Sequence, residues 1–223
     1  VLKNIVQFLP SSASYFSFDF KFKRALLNFE KDHYNQHFRW LSPFSRDNLK
    51  SLFNGGCPDY KQSWSAADEK DPLKQSSCLY QVSYLPDDIF AKVDRASMAS
   101  SLEVRAPFVD PAILQFANTL PSDYKLRGGK TKFILRELTL SVLPEEIAKR
   151  DKHGFAPPVG RWLKGALRDR ADNLFTKRSL KKSGLPNPDH AIFMWKDFLN
   201  GNHYRTRQIW SLFVWQLWSN KYL

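Results

Sequence analysis

Cysteine is scarce in this sequence. The chain has two, Cys57 and Cys78, and neither belongs to a CxxC pair or has histidines close by. This pattern excludes a zinc site with the usual ligand spacing and a disulfide framework. We therefore expect both cysteines to be reduced thiols of a cytoplasmic protein.

Long hydrophobic runs are also missing. The most apolar stretch, IWSLFVWQLW at 209–218, is interrupted by Ser211 and Gln216 and is too short to cross a bilayer. No segment has the composition of a signal peptide. We expect a soluble chain with no membrane partner.

Acidic residues are few relative to basic ones, with 22 Asp and Glu against 34 Lys and Arg, which makes the net charge +12. Such an excess favours an anionic partner, either phosphate, nucleotide, nucleic acid or an acidic surface of a larger protein, but a solvated basic surface explains it equally well. The hydrophobic content of 43%, with seven Trp and 18 Phe, can supply a core.

Strand patterns are scarce, and helical periodicity dominates. The opening VLKNIVQFLP is typical of a helix that ends at Pro10, and the aromatics alternating from Phe16 to Phe22 favour the start of another helix. Residues 54–78 have the composition of a loop with a polar helical turn. We predict a mainly α-helical protein.

The stretch YLPDDIFAKVDRASMASSLEVRAPFVD at 84–110 contains dense charge beside a thin apolar stripe. Pro86 suits the first turn of a helix on which Lys92 and Arg95 share one face, with Asp94 close to the apolar stripe. In the extended run before Pro107, Glu103 and Arg105 point to the same side. They form either a buried pair that fixes a turn or a ligand contact.

Two further basic segments follow. In DYKLRGGKTKFILREL a Gly-Gly turn leads to a helix that we expect Thr131 to cap, with Lys132 and Arg136 as neighbours of like sign. In LPEEIAKRDKHGFAPPVGRWL the helix dipole explains the charges of residues 145–150, whereas Lys152 lies beyond the helix on a loop constrained by Gly154 and two prolines. A lysine placed there is either a phosphate contact or an ordinary exposed residue.

Together with the terminal WSLFVWQLW, these segments resemble, in order, the C-terminal half of the synthetase domain of glutamine-hydrolysing asparagine synthetases. The resemblance implies the helical C-terminal portion of an α/β synthetase domain of the ATP-pyrophosphatase (adenine nucleotide alpha hydrolase-like) type. It also implies use of ATP and Mg²⁺ to form a β-aspartyl-adenylate, which ammonia from a glutaminase domain converts to asparagine. The family's reactive lysine, in R-x-K-x-x-F, falls on Lys152, which in the family contacts the ATP phosphates. Further candidates for the substrate and ATP cleft are Lys92, Asp94, Arg95, Glu103, Arg105, Asp110, Lys132 and Arg136.

The chain also departs from the family pattern. It starts with Val1 instead of a nucleophilic cysteine, NGGCPD at 54–59 differs from the pyrophosphate-binding SGGxDS loop, and the acidic GxGADE segment is missing. NGGCPD also follows DNLKSLF, which has a helical pattern rather than that of a buried strand. We therefore expect residues 1–223 to be one domain from a larger synthetase, inactive alone, without bound cofactor or metal, and partnered by the rest of its synthetase domain and by a glutaminase domain. The resemblance also allows a homodimer.

Two alternatives remain open. The first is a related synthetase that forms another amide, such as a β-lactam synthetase or an amidotransferase. The second is a basic nucleic-acid-binding helical module, which would expose aromatic residues for stacking. Against the second, Trp210, Phe213, Val214, Leu217 and Trp218 have the pattern of a helix core, so we expect no nucleic-acid partner.

Overall fold

The computed structural model describes residues 33–56, 70–150 and 157–223, with the side chains of residues 33–35 and 38 left out. The chain divides into two compact units, one formed by Val1–Lys61 with Phe155–Leu223 and the other by Gln62–Gly154. We call them unit 1 and unit 2. The predictions for residues 1–32 and for Lys152 lie outside the described residues.

Unit 1 is helical throughout its described part. Two helices come from the segment before unit 2, and five helices and a 3₁₀ turn follow it. They are α1 (His33–Leu41), α2 (Arg46–Leu52), α9 (Val159–Lys164), α10 (Arg168–Leu174), α11 (Lys177–Lys182), α12 (Pro188–Leu199), the 3₁₀ turn His203–Arg205 and α13 (Thr206–Tyr222).

The core of unit 1 centres on α12 and α13. Helix α12 starts cleanly because Asn187 caps it, accepting a hydrogen bond from the His190 amide, and because Pro188 occupies its first position. Its apolar residues recur at helical spacing, which places Met194 and Phe198 fully inside. They pack in one cluster with Phe213 of α13. Burial of such large side chains supplies most of the stabilising free energy of this unit.

The segment 33–56 is held to the C-terminal helices by long-range hydrogen bonds. The Arg207 guanidinium donates to the Leu41 carbonyl at 2.8 Å. The backbone amide of Asn187 donates to the Leu52 carbonyl at 3.0 Å, and its side-chain amide donates to the Ser51 carbonyl at 2.8 Å. These donors satisfy carbonyl groups at the ends of α1 and α2 that have no partner inside their own helices.

A half-buried ion pair stabilises the junction between α12 and α13. The Arg205 guanidinium lies 2.7 Å from the Asp197 carboxylate, with the two side chains 17% and 28% exposed. Asn202 also donates to this carboxylate, at 2.9 Å. Because two donors share this carboxylate, the cost of removing its charge from water is offset by hydrogen bonds.

The last helix carries a buried polar side chain. Gln216 is fully buried, donates to the Ser183 hydroxyl at 2.6 Å and accepts from the Ser179 hydroxyl at 3.3 Å. Of the apolar residues expected in the core of this helix, Phe213 is buried, whereas Val214 is 44% and Trp218 is 50% exposed. That prediction is therefore correct only in part, because the buried stripe follows Ile209, Leu212, Phe213 and Gln216.

Unit 2 begins with a long helical stretch. It consists of α3 (Pro72–Leu79), a π-helix (Tyr80–Phe90) and α4 (Ala91–Met98). Asp71 caps α3 by accepting from the amides of Leu73 and Lys74, and Pro72 follows at the first helical position. The prediction that Pro86 begins this helix is wrong, because the helix starts fourteen residues earlier and Pro86 lies inside the π-helix.

The remainder of unit 2 consists of short helices and a small hairpin. In order these are the 3₁₀ turn Pro107–Val109, α5 (Pro111–Thr119), α6 (Ser122–Lys125), β1 (Leu126–Arg127), β2 (Lys130–Thr131), α7 (Phe133–Val142) and α8 (Glu145–Ala148). The antiparallel hairpin pairs Leu126 with Thr131 and turns through Gly128 and Gly129, both at positive φ. This confirms the predicted Gly-Gly turn and the mainly helical fold, since β1 and β2 are the only strands within the described residues.

Unit 2 buries few side chains in its described part. Within residues 70–150 only Leu79 and Ser83 are buried, whereas Phe108, Phe116 and Val142 are 60% to 70% exposed. An apolar surface of this size is unusual for a free-standing domain. Across the described residues, no helix has the length and apolar character needed to span a membrane.

We expect Leu52→Ala to lower the free energy of unfolding of unit 1 by about 2–5 kcal/mol, since Leu52 is 1% exposed and a cavity would remain. Urea unfolding followed by tryptophan fluorescence measures the change. Val214→Ala, at an exposed position of α13, is the control and should change stability by less than about 0.5 kcal/mol. Equal effects of the two substitutions would contradict the placement of α2 in the core.

Acid should destabilise unit 1. Burial lowers the pKa values of His37, His190 and His203 below 6.5, and Arg205 further lowers the pKa of His190. The buried Nε2 of His190 has no hydrogen-bond partner among the described residues, so protonation of His190 forms no new hydrogen bond at this atom. As the pH falls, these histidines bind protons in the unfolded chain before they do so in the folded chain. The stability that the neutral histidines allow above pH 6.5 is therefore lost as the pH drops through their folded-state pKa values.

Urea midpoints at about pH 7.5 and pH 5 test this expectation, and His190→Asn should reduce the difference between them. A midpoint that stays constant on acidification would show that these histidines accept protons equally well in the folded and unfolded states, and a midpoint that rises would show that the folded state accepts them more readily.

Candidate functional site

The sequence-predicted site residues that the structure describes all lie in unit 2. They fall into three groups: one on the helix that ends at Met98, one in the segment 103–110 and one at the start of α7. Within residues 70–150, no hydrogen bond or ion pair joins one group to another. Lys152 lies outside the described residues.

Lys92 and Arg95 of the first group line a surface depression of about 470 Å³, whose described lining residues are Asp87, Asp88, Ala91, Lys92, Arg95 and Ala96. Lys92 and Arg95 therefore share one surface, as their spacing predicts. Asp94 is not part of this lining, because it points from another face of α4, and its carbonyl accepts a hydrogen bond from the Ser97 hydroxyl.

Sequence reasoning missed the role of Asp88 and Tyr84. The Lys92 ammonium lies 3.0 Å from the Asp88 carboxylate, and this carboxylate also interacts with the Tyr84 hydroxyl. Partial burial, together with the negative charge of Asp88, raises the pKa of Tyr84 above its ordinary value. The spacing of four residues from Tyr84 to Asp88 to Lys92 could have revealed this row, because residues four positions apart are neighbours on a helix.

The second group follows the helix. Residues 102–106 have no regular secondary structure, and the Arg105 guanidinium forms an ion pair with the Glu103 carboxylate. The predicted pairing is confirmed, but both side chains are largely exposed, so the interpretation as a buried pair is wrong. Asp110 caps α5 by accepting a hydrogen bond from the Ala112 amide at 2.9 Å. Its carboxylate therefore has a local structural role.

The third group lies where the hairpin enters α7. The prediction that Thr131 caps this helix is wrong, because Thr131 belongs to β2 and Lys132 is the capping residue, in a left-handed conformation with φ of 57°. The Arg136 guanidinium donates to the Thr131 carbonyl at 3.1 Å. Arg127 of the hairpin lies over the Phe133 ring, 4.2 Å from its centroid. Three cations therefore surround the start of α7.

The segment before NGGCPD and the charged segment 145–150 agree with the sequence analysis. DNLKSLF lies largely in α2, so a helix precedes residues 54–56, as predicted, and these residues form a turn. Lys149, at the end of α8, forms an ion pair with Glu145, which lowers the pKa of that carboxyl. Among the described residues, no group of three His, Cys, Asp or Glu side chains is arranged to hold a metal ion.

Comparison with known proteins identifies the family. Residues 10–220 match the family model described as asparagine synthase. The chain belongs to this family.

Curated relatives are similar at modest identity. Asparagine synthetase [glutamine-hydrolyzing] 1 of Bacillus subtilis is 28% identical over 135 residues, which cover 60% of this chain and 21% of that protein. A putative asparagine synthetase [glutamine-hydrolyzing] of Mycobacterium tuberculosis is 28% identical over 182 residues, 78% of this chain and 28% of the relative. Amidase chyE of Penicillium rubens is 28% identical over 121 residues, which cover 51% of this chain and 18% of that protein.

The chain thus spans less than a third of the length of each of these three relatives. No solved structure shows a significant match to it. The predicted family is confirmed, and its curated members identify a family of ligases.

Lys132→Gly should raise the free energy of unfolding by about 0.5–1 kcal/mol, because glycine adopts a positive φ without steric cost. Lys130→Gly is the control, since glycine in the neighbouring strand should destabilise the hairpin by a similar amount. Chemical denaturation measures both. A loss of stability in Lys132→Gly would show that the lysine side chain itself stabilises the fold.

Proposed function

We propose that this chain forms one wall of the active site of an ATP-dependent amide synthetase. In this proposal ATP, with Mg²⁺, activates the side-chain carboxylate of aspartate as a β-aspartyl-adenylate, and ammonia released from glutamine displaces AMP. The observation that carries the proposal is the family match over residues 10–220, which includes every one of the charged signature positions between Lys92 and Lys152.

The cations at the start of α7 suit a phosphate-binding role. Lys132, the residue that caps α7, and Arg136, in its first turn, carry like charges at the start of one helix, and an anion bound there would offset their repulsion. The phosphates of ATP are such an anion, and fixed cations stabilise the charge that develops during adenylation. We propose Lys152 as the catalytic residue of this step and assign no magnesium ligand to the described residues.

The exposed apolar surface of unit 2 supports a site completed by further polypeptide. Phe108 and Phe116 are 70% and 60% exposed, and they flank Asp110, one of the signature residues. We propose that the remaining synthetase domain covers this surface and supplies the SGGxDS loop, and that a glutaminase domain supplies ammonia. Adenylation requires the SGGxDS loop and the cations of this chain to converge on one substrate, so the chain alone should not release pyrophosphate. Without the glutaminase domain it should not hydrolyse glutamine either.

A second candidate is a synthetase of the same family that forms another amide. The similarity to amidase chyE, which covers 51% of this chain, supports this second candidate. Both candidates require the same adenylation step and differ in the substrate that supplies or accepts the acyl group. Pyrophosphate release with aspartate, compared with other amino acids, distinguishes them.

Lys152→Ala in the complete synthetase should lower the rate of adenylation by about a thousandfold or more, because an ammonium aimed at phosphoryl oxygens stabilises the transition state. Pyrophosphate release with ammonia as the nitrogen donor measures this rate. Glutaminase turnover and the melting temperature should stay nearly unchanged.

Lys149→Ala is the matched control, since Lys149 lies three residues earlier and its ion pair with Glu145 accounts for it. This variant should keep adenylation within a few-fold of the unaltered enzyme. If Lys152→Ala keeps a near-normal rate, the phosphate role is refuted. If it loses both activities and several degrees of melting temperature, Lys152 is structural.

A further inference from the structure

The residues that line the depression form two parallel rows along one helix. Asp87, Ala91 and Arg95 make the first row, which we call the open row, and Asp88, Lys92 and Ala96 make the second, the closed row. Within each row the residues are four positions apart, so their side chains follow one another along the same face.

The two charged residues of the closed row form an ion pair with each other. The Lys92 ammonium lies 3.0 Å from the Asp88 carboxylate, which also interacts with the Tyr84 hydroxyl. An added ion would have to compete with this pair for either partner. The closed row therefore offers little to a ligand.

The open row has opposite charges that do not meet. Within residues 70–150, neither the Asp87 nor the Arg95 side chain forms a hydrogen bond or an ion pair. Between them lies Ala91, whose small side chain leaves the space above the helix free. Long side chains on a helix lean toward its N-terminus, which is the direction in which Ala91 and Asp87 lie relative to Arg95.

We propose that the open row binds the main-chain groups of an α-amino acid, its carboxylate to Arg95 and its ammonium to Asp87. A simple anion or cation would gain one contact and meet repulsion at the other end of the row, whereas a zwitterion matches both ends. The guanidinium can hold a carboxylate through two hydrogen bonds. For aspartate, this mode leaves the side-chain carboxylate free for activation.

This inference rests on the proposed function, which requires an amino-acid substrate. Titration of L-aspartate into the 223-residue chain, followed by calorimetry and by NMR of the backbone amides of α4, tests it. Asp87→Asn and Arg95→Gln should each weaken binding by about tenfold or more, since each removes a charge-assisted contact.

Asp88→Asn is the matched control for Asp87→Asn, because it makes the same chemical change one position further along, in the closed row. It should weaken binding by less than about twofold. Ala91→Leu should block binding without changing any charge, because it fills the space between Asp87 and Arg95. Succinate, which lacks the ammonium group, should bind more weakly than L-aspartate and should not be weakened further by Asp87→Asn.

Equal losses for Asp87→Asn and Asp88→Asn would overturn the inference, as would equal affinity for succinate and L-aspartate or no binding of any amino acid. Other outcomes distinguish a failure of the proposed function from a failure of this inference. If another α-amino acid binds better than aspartate with the same dependence on Asp87 and Arg95, the open row is confirmed and aspartate is the wrong substrate. If the complete synthetase releases pyrophosphate with aspartate at an unchanged KM in Asp87→Asn and Arg95→Gln, the function is supported and the open row is wrong.

Discussion

The hydrogen bonds that tie α1 and α2 to the C-terminal helices are the constraint on which unit 1 depends. The last carbonyl groups of a helix have no partner within it, and burying them unpaired would cost free energy. Arg207 and Asn187 supply donors to Leu41, Ser51 and Leu52 from more than 130 residues further along the chain. Because the Asn187 bonds are made to Ser51 and to Leu52, whose side chain is buried, packing and hydrogen bonding fix the same position of α2. The two parts of unit 1 are thereby joined although unit 2 separates them in sequence.

Charge is distributed unequally between the two units. The described residues of unit 1 include fifteen Lys and Arg against five Asp and Glu, whereas those of unit 2 include twelve against ten. The large positive charge of the chain therefore comes mostly from unit 1 and not from the candidate site. Unit 2 uses charges of both signs, often on the same helix face, which suits substrates that carry both positive and negative groups. The excess of positive charge therefore lies in unit 1, whereas the candidate site residues that the structure describes lie in unit 2.

The local structure around the candidate site explains which charged residues remain available. Asp110 caps α5 and Lys92 pairs with Asp88, so part of the dense charge in 84–110 is used within the chain. Arg95 and Asp87 have no such partner among the described residues. Lys132 is held at a positive φ that costs a non-glycine residue free energy, between Arg127 of the hairpin and Arg136 of α7 in the sequence. Residues retained in strained conformations occur often at functional sites.

The sequence by itself determined the family, the helical character and the turn at Gly128 and Gly129, because these follow from ordered motifs, from periodicity and from the conformational freedom of glycine. It also indicated that Lys92 would lie near Arg95 and Glu103 near Arg105, since spacing along a helix or an extended run decides which side chains are neighbours. It did not determine where the long helix begins, because the Asp71 cap lies in a stretch whose composition is that of a loop. Only the tertiary structure decided which parts of the chain form unit 1, why Gln216 is buried and which cation of the depression has a partner. These depend on contacts between residues that are distant in sequence, or on the direction of individual side chains, and neither is encoded in a local pattern.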